Sequence, residues 1–503
     1  MNKFYITTPI YYVNSRPHIG HAYTTVAADI LARYNRLKLG DDNVWFLTGT
    51  DEHGAKIAQA AEKEKLEPLA FADKIADEYK QVWEKLNISN NDFIRTTEDR
   101  HETLAKEILT KLKSAKTPKG NDVLFKDKYE GLYCVGCESY KKEDDLVDGK
   151  CPDHDTKPEF LSEENWYFRL SDYGEIIKEK ISSDEIKVAP AGRKKEVLSF
   201  IDQGLEDVAI SRQNLTWGIP LPFDEDQVAY VWIEALMNYI TALGYPNDEK
   251  FEKFWPVANQ LLAKDILKFH AVIWPAMLTA IDVELPKELF IHGYFTIDGK
   301  KMSKTLGNVI NPVDLVDEFG ADAARYLIVS QFQFGSDGDV KAEDFITKYN
   351  SDLANGVGNL VNRVLVMTDK YCAGKVPNKI YNADLDLSKT WQTIDKNYSE
   401  YKIYENISEI LEVIRFCDRY IDETKPWTLA KESKQDEIDQ IIYNLLEIIR
   451  NLGQLLKPYL PEAGEKILGY LSQTDFTSDS IKSDTKVEKG EPLFARKDNN
   501  PNT

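Results

Sequence analysis

The sequence has little cysteine, little histidine and no long hydrophobic run. Five cysteines among 503 residues are too few for a disulfide scaffold. The most apolar run, residues 269–281, is shorter than the ~20 residues of a membrane-spanning helix and is interrupted by His270 and Pro275. Residues 1–6 also lack the basic and apolar regions of a secretory signal. We therefore expect a cytoplasmic protein.

Basic residues are in deficit as well. Lysine and arginine number 63 against 84 aspartates and glutamates, which leaves a formal net charge of −21. This balance argues against a surface covered in basic residues for non-specific nucleic-acid binding, although a local basic groove is compatible with it. Hydrophobic residues make up 42% of the chain, enough for a folded globule, and the length suggests about three domains.

Apolar periodicity in the first part of the chain predicts alternating strands and helices. Residues 4–8 indicate a short strand, and residues 22–37 indicate a helix with one buried face. Residues 44–47 form a continuous apolar run, which is typical of a buried parallel strand, and another helical pattern covers residues 56–65. This order predicts a doubly wound, Rossmann-like α/β domain with a parallel sheet.

The pattern changes twice further along the chain. Residues 117–225 are rich in charge, glycine and proline, as in an insertion, and the α/β pattern then resumes with strands expected at 228–231 and 289–291. From about residue 342 helical periodicity predicts an all-α helix bundle. We predict the first half of an α/β domain (1–116), an insertion (117–225), the second half of the α/β domain (226–340), a helical domain (341–473) and a polar strap and tail (474–503).

Two histidines follow the first predicted strand in the segment His18-Ile19-Gly20-His21. The carboxyl end of a strand in such a sheet, next to a helix N-terminus, is where phosphate-bearing ligands bind. Pro17 suits the first helical position. Imidazoles there can donate to phosphate oxygens, and Gly20 lets a nucleoside approach the backbone. The alternative is that both histidines simply lie in a turn, but two histidines so close together around a glycine favour a phosphate-binding role.

A lysine-rich loop, Gly299 to Gly307, contains Lys301 and Lys304. Its end glycines allow hinge motion, and the lysines could close over a polyphosphate. Taken alone, such a loop is usually a solvated turn. Its pairing with the histidine segment favours a phosphate-binding role.

Three of the five cysteines lie in the predicted insertion. Cys134, Cys137, Cys151 and His154 have the spacing C-x2-C-x13-C-x2-H, which suits tetrahedral zinc with all four positions filled, so we expect a structural metal. The alternative is reduced thiols beside a surface histidine. We interpret His101, which stands alone in a charged segment, as a helix-surface residue.

The histidine and lysine segments resemble the two signatures of class I aminoacyl-tRNA synthetases, with Thr305 where the family usually has serine. The whole chain is similar to the methionyl-tRNA synthetase family, in its single-zinc form without a C-terminal tRNA-binding appendix. Further stretches that carry the resemblance, in this order, are TPIYYVN (8–14), GTDEHG (49–54), WGIP (217–220), YVWIEA (230–235), KDILKFH (264–270) and IHGY (291–294).

The resemblance implies a two-step reaction. Methionine is joined to the α-phosphate of ATP with release of pyrophosphate, and the methionyl group then passes to the 3′ end of tRNA. The attacking carboxylate is already ionised at neutral pH, so the first step needs positioning and electrostatic stabilisation rather than a general base. Mg²⁺ would bridge the phosphates.

The resemblance also implies roles for individual residues. The expected catalytic side chains are His18, His21, Lys301 and Lys304; the expected ATP-binding residues are His18, Gly20, His21, Asp265 and Lys304. A thioether needs apolar and aromatic walls, and the residues implied for methionine are Ile10, Tyr12, Trp232 and His270, with Asp51 near the ammonium group. Ordinary core packing is the alternative for Trp232 and Tyr12.

The helical domain would bind the tRNA anticodon. Trp427 matches the family's stacking tryptophan, and Asn355 and Arg363 are candidate base or phosphate partners, although Arg363 could equally be a solvated helix charge. The resemblance implies tRNA(Met), including the initiator, as partner, and no membrane or DNA. Because about thirty polar residues after the bundle cannot form the dimerising domain of longer relatives, we expect a monomer.

Three other functions are compatible with parts of the sequence. A leucine, isoleucine or valine enzyme would carry a larger editing insertion, and a cysteine enzyme would use its zinc to hold substrate. A small-molecule nucleotidylyltransferase has no use for a long helix bundle. An inactive tRNA-binding or zinc scaffold protein would not be expected to retain both histidines and both lysines.

Overall fold

A computed structural model describes residues 2–134, 139–152, 155–297, 299–301, 309–473 and 480–498. The chain divides into two compact units. The first unit comprises Met1–Pro17, Asp41–Trp83 and Ser89–His292, and the second comprises His18–Gly40, Glu84–Ile88 and Gly293–Thr503. The five-segment division expected from the sequence stays a prediction.

A six-stranded parallel sheet forms the centre of the first unit. Its strand order is β3 (Asp92–Arg95), β2 (Val44–Asp51), β1 (Phe4–Tyr12), β12 (Ala258–Ala263), β13 (Glu288–His292) and β7 (Lys187–Ala189). The apolar residues of these strands, such as Phe46, Leu261 and Ile291, are buried, as expected for a sheet covered on both faces. The predicted doubly wound fold is confirmed.

The other elements of the first unit surround this sheet. Its helices are α2 (Ala55–Glu64), α3 (Pro68–Lys85, whose last two residues fall in the second unit), α4 (Asp99–Ser114), α5 (Gly174–Ser182), α6 (Ala191–Asp202), α7 (Val231–Leu236), α8 (Asn238–Thr241), α9 (Glu249–Phe254) and α10 (Trp274–Ala280), with a π-helical turn at Phe269–Ile273. Its remaining strands are β4 (Leu124–Cys134), β5 (Ser139–Lys141), β6 (Glu159–Phe168), β8 (Val208–Ala209), β9 (Ser211–Arg212), β10 (Pro220–Leu221) and β11 (Asp224–Ala229).

The predicted strand at 228–231 is wrong in two respects. Strand β11 ends at Ala229 and pairs with β9 and β10 in a small antiparallel sheet, whereas Val231 begins helix α7. A short apolar run does not distinguish a strand from a buried helix. The strand that continues the parallel sheet is β12, whose Asn259 and Gln260 conceal it in the sequence.

The insertion is built on an antiparallel sheet with the order β5-β4-β6-β8. Its two long strands, β4 and β6, pair from Leu124↔Phe168 to Tyr133↔Glu159. Strand β4 ends at Cys134, so the sheet carries the first predicted zinc ligand at its tip.

The second unit is mainly helical. Its helices are α1 (Ile19–Leu39), α11 (Pro312–Phe319), α12 (Ala321–Val329), α13 (Ala342–Lys348), α14 (Asn359–Cys372), α15 (Leu387–Ser399), α16 (Ile403–Thr424), α17 (Pro426–Lys431), α18 (Gln435–Leu456) and α19 (Pro461–Tyr470), with a π-helical stretch at Tyr349–Gly358. A small sheet has the order β15 (Lys300–Lys301), β14 (Phe295–Ile297) and β16 (Gly338–Val340). Helix α18 is buried along most of its length, and the predicted bundle is confirmed.

The described segment after the bundle is hydrogen-bonded to the helices of the second unit. Asn350 donates through Nδ2 to the carbonyl of Lys497 (2.8 Å) and accepts at Oδ1 from its backbone N–H (2.9 Å). Tyr349 donates to the carbonyl of Ala495 at 2.9 Å. Residues 480–498 are therefore packed on the helices, whereas the predicted frayed terminus, 499–503, lies outside the described residues.

Of the helices described, none combines the length and the apolar character needed to span a bilayer.

Candidate active site

The two histidines of the first signature form a hydrogen-bonded pair at the start of α1. His18 is the N-cap residue, and its ring Nδ1 accepts from the backbone N–H of Gly20 at 3.1 Å. The backbone N–H of His18 in turn donates to Nδ1 of His21 at 3.3 Å. This is a reciprocal capping box with imidazoles in both positions. Pro17 precedes the cap, so the prediction that it occupies the first helical position is wrong.

These bonds determine the tautomer of both rings. Because each Nδ1 accepts a hydrogen bond, each neutral imidazole carries its proton on Nε2. The rings stack with their centroids 3.8 Å apart. Two Nε2–H donors therefore lie side by side at the N-terminus of a 21-residue helix, where the helix dipole favours anions. Gly20 supports the pair only through its backbone.

The lysine loop begins and ends next to described elements of the second unit. Lys300 and Lys301 form β15, which pairs with β14. Beyond the loop, the carbonyl of Ile310 accepts from the backbone N–H of Ile19 at 3.0 Å. The chain leaving the loop thus contacts the first turn of α1, beside the histidine pair. Lys304 and the side chain of Lys301 lie outside the described residues, so their roles stay predictions.

Three residues implied for methionine lie near the carboxyl ends of β1 and β2. Tyr12 is paired with Asp51, and the backbone N–H of Val13 donates to the Asp51 carbonyl at 3.1 Å. Ile10 is paired with Gly49. The Asp51 side chain is buried. This edge of a parallel sheet is where ligands bind in such folds.

Gly49 on β2 is required by the close approach of the neighbouring strand β3. A β-carbon at this position would lie 2.1 Å from the carbonyl oxygen of Ile94 on β3. Only glycine allows the two strands to approach so closely, two residues before Asp51.

Trp232 lies on helix α7, one residue beyond the strand predicted at 228–231. Its ring stacks on that of Phe269 with a centroid separation of 4.9 Å and an angle of 18°. Both rings are partly exposed and pack against the same core as Ile10 and Tyr12. Phe269 immediately precedes His270 but carries no distinctive sequence signal of its own.

His270 is buried and held by two hydrogen bonds. Its Nδ1 donates to the carbonyl of Ile266 at 3.1 Å, so Nε2 accepts from the hydroxyl of Tyr239 at 2.8 Å. Burial lowers the pKa of His270 to about 4, against the opposing effect of the Ile266 carbonyl. The imidazole is therefore neutral at pH 7. Tyr239, which locks it, had no distinctive signal in the sequence.

Asp265 is exposed on a 3₁₀ turn, Lys264–Ile266. It borders an open groove of about 480 Å³, whose other walls include Phe200, Gln203 and Lys268. The groove offers a carboxylate, an ammonium group and an aromatic face together. Its use by a nucleotide stays a prediction.

The interpretation of His101 as a helix-surface residue is wrong. His101 is fully buried and hydrogen-bonded to Glu234 and Thr241. Its position in the first turn of α4, between charged neighbours, conceals the side of the helix that packs inward. His53, which contacts the same carboxylate, carries no sequence signal for this role.

A buried arginine was also missed. Arg212 lines a cavity of about 170 Å³ together with Gly54, Tyr133 and Tyr230. Its guanidinium lies 4.2 Å from the centre of the Tyr230 ring, a cation–π contact. A single arginine in a polar segment carries no sequence signal for burial.

The described half of the predicted zinc site is compact. Cys134 and Cys151 are both buried. The Cys134 sulfur lies 4.0 Å from Oγ1 of Thr156, and Thr156 also pairs with Cys151 through a β-bridge. Thr156 therefore lies next to the Cys134 sulfur and is paired with Cys151 through the backbone. Cys137 and His154 lie outside the described residues, among which no group of three or more metal-binding side chains occurs.

The residues predicted for the anticodon lie in the second unit. Trp427 is in the first turn of α17 and is 41% exposed, which is unusual for so large an apolar side chain. Asn355 is exposed. Arg363 makes ion pairs with Asp418 (2.9 Å) and Asp422 (3.3 Å) on α16, so its charge is engaged within the bundle.

Two family models match the chain. The family described as tRNA synthetases class I (M) matches residues 4–157 and 141–365. The anticodon-binding domain of tRNA ligases matches residues 385–496.

The chain is also similar to individual proteins and to a solved structure. The methionine–tRNA ligase of Clostridium acetobutylicum is 44% identical over 512 residues, covering 99% of this chain and 78% of the relative. That of Thermotoga maritima is 40% identical over 514 residues, covering 99% and 80%. The structure of Mycobacterium tuberculosis methionyl-tRNA synthetase in complex with methionyl-adenylate has a TM-score of 0.93 and 36% identity, covering 99% of this chain and all of that one (100%).

Proposed function

The chain belongs to the methionyl-tRNA synthetase family of class I, and from this membership we propose that it is a methionine–tRNA ligase. It activates L-methionine with ATP to methionyl-adenylate and transfers the methionyl group to tRNA. The anticodon-binding domain matched over residues 385–496 supports tRNA as the acceptor. Identities of 40–44% to methionine–tRNA ligases over nearly the whole chain favour this function over another class I synthetase or an inactive scaffold.

The observation that supports the catalytic role of the histidines is their shared tautomer. Both rings direct an Nε2–H donor, rather than a charge, from the start of α1. Such donors can stabilise the charge that develops on the phosphate oxygens as the methionine carboxylate attacks the α-phosphorus. Gly20 leaves room for the nucleoside, and Lys301 and Lys304 would neutralise the pyrophosphate as it leaves.

The methionine side chain would contact apolar and aromatic groups. Ile10, Tyr12 and Trp232 supply that surface, and neutral His270 adds a polarisable ring without a buried charge. Asp51 would receive the ammonium group of the substrate. Asp265 would contact the nucleotide.

We assign one structural Zn²⁺ to Cys134, Cys137, Cys151 and His154. Cys134 and Cys151 are both buried as free cysteines, and Thr156 is in contact with the first and bridged through the backbone to the second, which fits a thiolate site. A filled tetrahedral set would connect the tip of β4 to the segment around Cys151 and leave no position for water. Mg²⁺ would enter with ATP.

Family membership supports tRNA as the acceptor, and the identity of that tRNA is a further proposal. We propose tRNA(Met), including the initiator, with Trp427 stacking on an anticodon base. Asn355 is a candidate polar contact. Arg363 would have to leave Asp418 to reach a phosphate. The monomeric state and the cytoplasmic location stay predictions.

Amino-acid-dependent exchange of pyrophosphate into ATP tests the proposal. Run across the twenty amino acids, the assay should respond to methionine, and charging should then require tRNA(Met). Exchange supported by leucine, isoleucine, valine or cysteine instead would identify another synthetase. Absence of exchange with all twenty amino acids would identify a scaffold protein.

A further inference from the structure

A buried carboxylate in the first unit binds two imidazoles. Nδ1 of His53 donates to Oε1 of Glu234 at 2.8 Å, and Nε2 of His101 donates to Oε2 at 2.9 Å. Nδ1 of His101 lies 2.8 Å from the hydroxyl of Thr241. All four side chains are buried. We call His53, Glu234 and His101 the buried clamp.

The charges around the clamp favour an ionised pair. Burial alone would lower the pKa of His53, but the charge of Glu234 and its hydrogen bond raise it overall. Burial opposes ionisation of Glu234, yet the two imidazoles lower the pKa of its carboxyl. Glu102, on α4 beside His101, lies 3.9 Å from Nε2 of His53.

The remaining charge near His53 is neutralised locally. Glu52, its neighbour in the chain, makes a bidentate ion pair with Arg95 at 2.8 Å for both bonds. On its other side, His53 contacts the ring of Trp217, with centroids 5.3 Å apart. The charged groups that act on His53 are therefore Glu234, Glu102 and the ion-paired Glu52, with His101 reached through Glu234.

The clamp joins two segments that carry proposed methionine contacts. His53 follows Asp51 by two residues, and Glu234 follows Trp232 by two residues within α7. The His53–Glu234 bond thus spans 181 positions of sequence. A second hydrogen bond holds the segment that contains His53, since Nε1 of Trp217 donates to the carbonyl of Glu52 at 2.7 Å.

We propose that His53, Glu234 and His101 are positioning residues for methionine activation, which hold Asp51 and Trp232 in register with each other. This inference rests on the proposed roles of Asp51 and Trp232. An ion pair this deeply buried is no better for stability than apolar packing of the same volume. Its directed hydrogen bonds can, however, hold the two segments in a fixed position relative to each other. A productive substrate geometry needs this position to be precise to within a fraction of an ångström.

The charged clamp should give methionine binding a pH dependence. His53 is an imidazolium below its raised pKa and loses the charge as the pH rises through that value. Glu234 then remains ionised without a cationic partner. The KM for methionine should therefore rise with pH above about 6.5, the ordinary histidine value, while the KM for ATP stays flat.

Glu234→Gln and His53→Asn test the inference by pyrophosphate exchange. Both remove the charge pair, and the asparagine amide keeps a donor at the position of Nδ1. Each should raise the KM for methionine about tenfold or more, change the KM for ATP little and abolish the alkaline rise. Glu234→Asp, which keeps the charge, should retain the alkaline rise. The matched control is Glu447→Gln, which removes another buried carboxylate, the one paired with Arg450 in the bundle. It should lower thermal stability and leave the KM for methionine unchanged.

The outcomes separate this inference from the proposed function. If wild type exchanges with methionine but both variants keep its KM and pH profile, the clamp has no positioning role. An equal rise in KM in Glu447→Gln would also overturn it, since general destabilisation would then explain the effect. If neither clamp variant folds, the wild-type profile decides, and a flat KM for methionine between about pH 6 and 9 rejects the inference. Lack of exchange in wild type would instead reject the proposed function.

Discussion

A neutral imidazole is a suitable wall for a thioether, because a charged one would have to be dehydrated beside an apolar side chain. At the scale of single residues, His270 is kept neutral by burial and by two bonds of fixed direction, to Ile266 and from Tyr239. The same burial makes His270 a source of acid sensitivity. Its effect on stability can be measured without any substrate.

His270→Asn should reduce the loss of stability in acid. The pKa of His270 is about 4 in the folded protein, below its ordinary value of 6.5. Between these values the unfolded chain binds a proton that the folded protein does not, so stability is complete above 6.5 and falls as the pH decreases. The loss at this site is about 3 kcal/mol. Denaturant unfolding at stepped pH measures it.

Tyr239→Phe is the matched control for this measurement. It removes the hydroxyl that binds Nε2 but leaves the imidazole buried, so the acid-side slope should persist. If His270→Asn keeps the wild-type slope between about pH 6.5 and 4, His270 does not titrate as its surroundings indicate.

Residues differ in how far the sequence can predict them. His18 and His21 were predictable, because spacing and position after a strand are local properties. The burial of His101 depends on Glu234, 133 positions away, and that of Arg212 on contacts with Tyr133 and Tyr230 from other strands and turns. Local sequence cannot report those contacts, which is why His101 was predicted to lie on a helix surface.

At the scale of elements, the start of α1 combines two roles in one side chain. His18 accepts from Gly20 to cap the helix and carries an Nε2–H donor on the opposite side of the ring. Substitutions that keep only the cap can separate them.

His18→Asn should preserve stability and lose activity. Asparagine caps helices well, so the free energy of unfolding should change by less than about 0.5 kcal/mol, whereas His18→Ala should cost about 1 kcal/mol. Neither side chain is long enough to place a donor where Nε2–H lies in histidine, so both variants should slow exchange about 100-fold. Thermal unfolding and pyrophosphate exchange, measured on the same preparations, test this. Full exchange by the asparagine variant would leave the imidazole with a capping role only.

The β4–β6 insertion provides a second prediction at this scale. Cys151→Ser should abolish binding of one zinc equivalent and loosen the insertion, because the buried thiolate is one of four proposed ligands. Metal analysis of the purified protein gives the stoichiometry. Cys372→Ser, which changes a partly buried thiol beside Asp439 in the bundle, should keep it. Unchanged zinc in the Cys151 variant would contradict the site.

Strands were predictable where burial on both faces leaves an apolar run, as in β2, and not elsewhere. Strand β12 was not predicted from the sequence, because Asn259 and Gln260 interrupt its apolar character. The Asn259 amide donates to the carbonyls of Val257 and Tyr5, so its polarity is satisfied only in the assembled sheet. Strand β1 extends past Pro9 through a register shift between Thr7 and Ile10, which no local pattern indicates.

At the scale of the whole molecule, the reaction divides between chemistry and recognition. Exchange needs only methionine and ATP, whereas charging also needs tRNA. The family models divide the sequence similarly, with the synthetase model over residues 4–157 and 141–365 and the anticodon model over 385–496. The lysine loop and half of the zinc ligands lie outside the described residues, so their geometry stays a prediction.

Trp427→Ala should therefore separate charging from exchange. The indole is 41% exposed at the start of α17, and stacking of a base on an aromatic ring contributes about 1–3 kcal/mol. Its loss should lower kcat/KM for tRNA charging roughly 10- to 100-fold and leave pyrophosphate exchange unchanged. Trp427→Phe, which keeps an aromatic face, should recover part of the charging.

The matched control is Ile380→Ala, at another exposed apolar side chain of the second unit (83% exposed), and it should affect neither assay. Equal loss in both tryptophan variants would indicate that the indole N–H, rather than the ring face, contacts the tRNA. Unchanged charging in Trp427→Ala would exclude this residue from the anticodon site and leave the exposure of so large an apolar side chain to be explained by another partner.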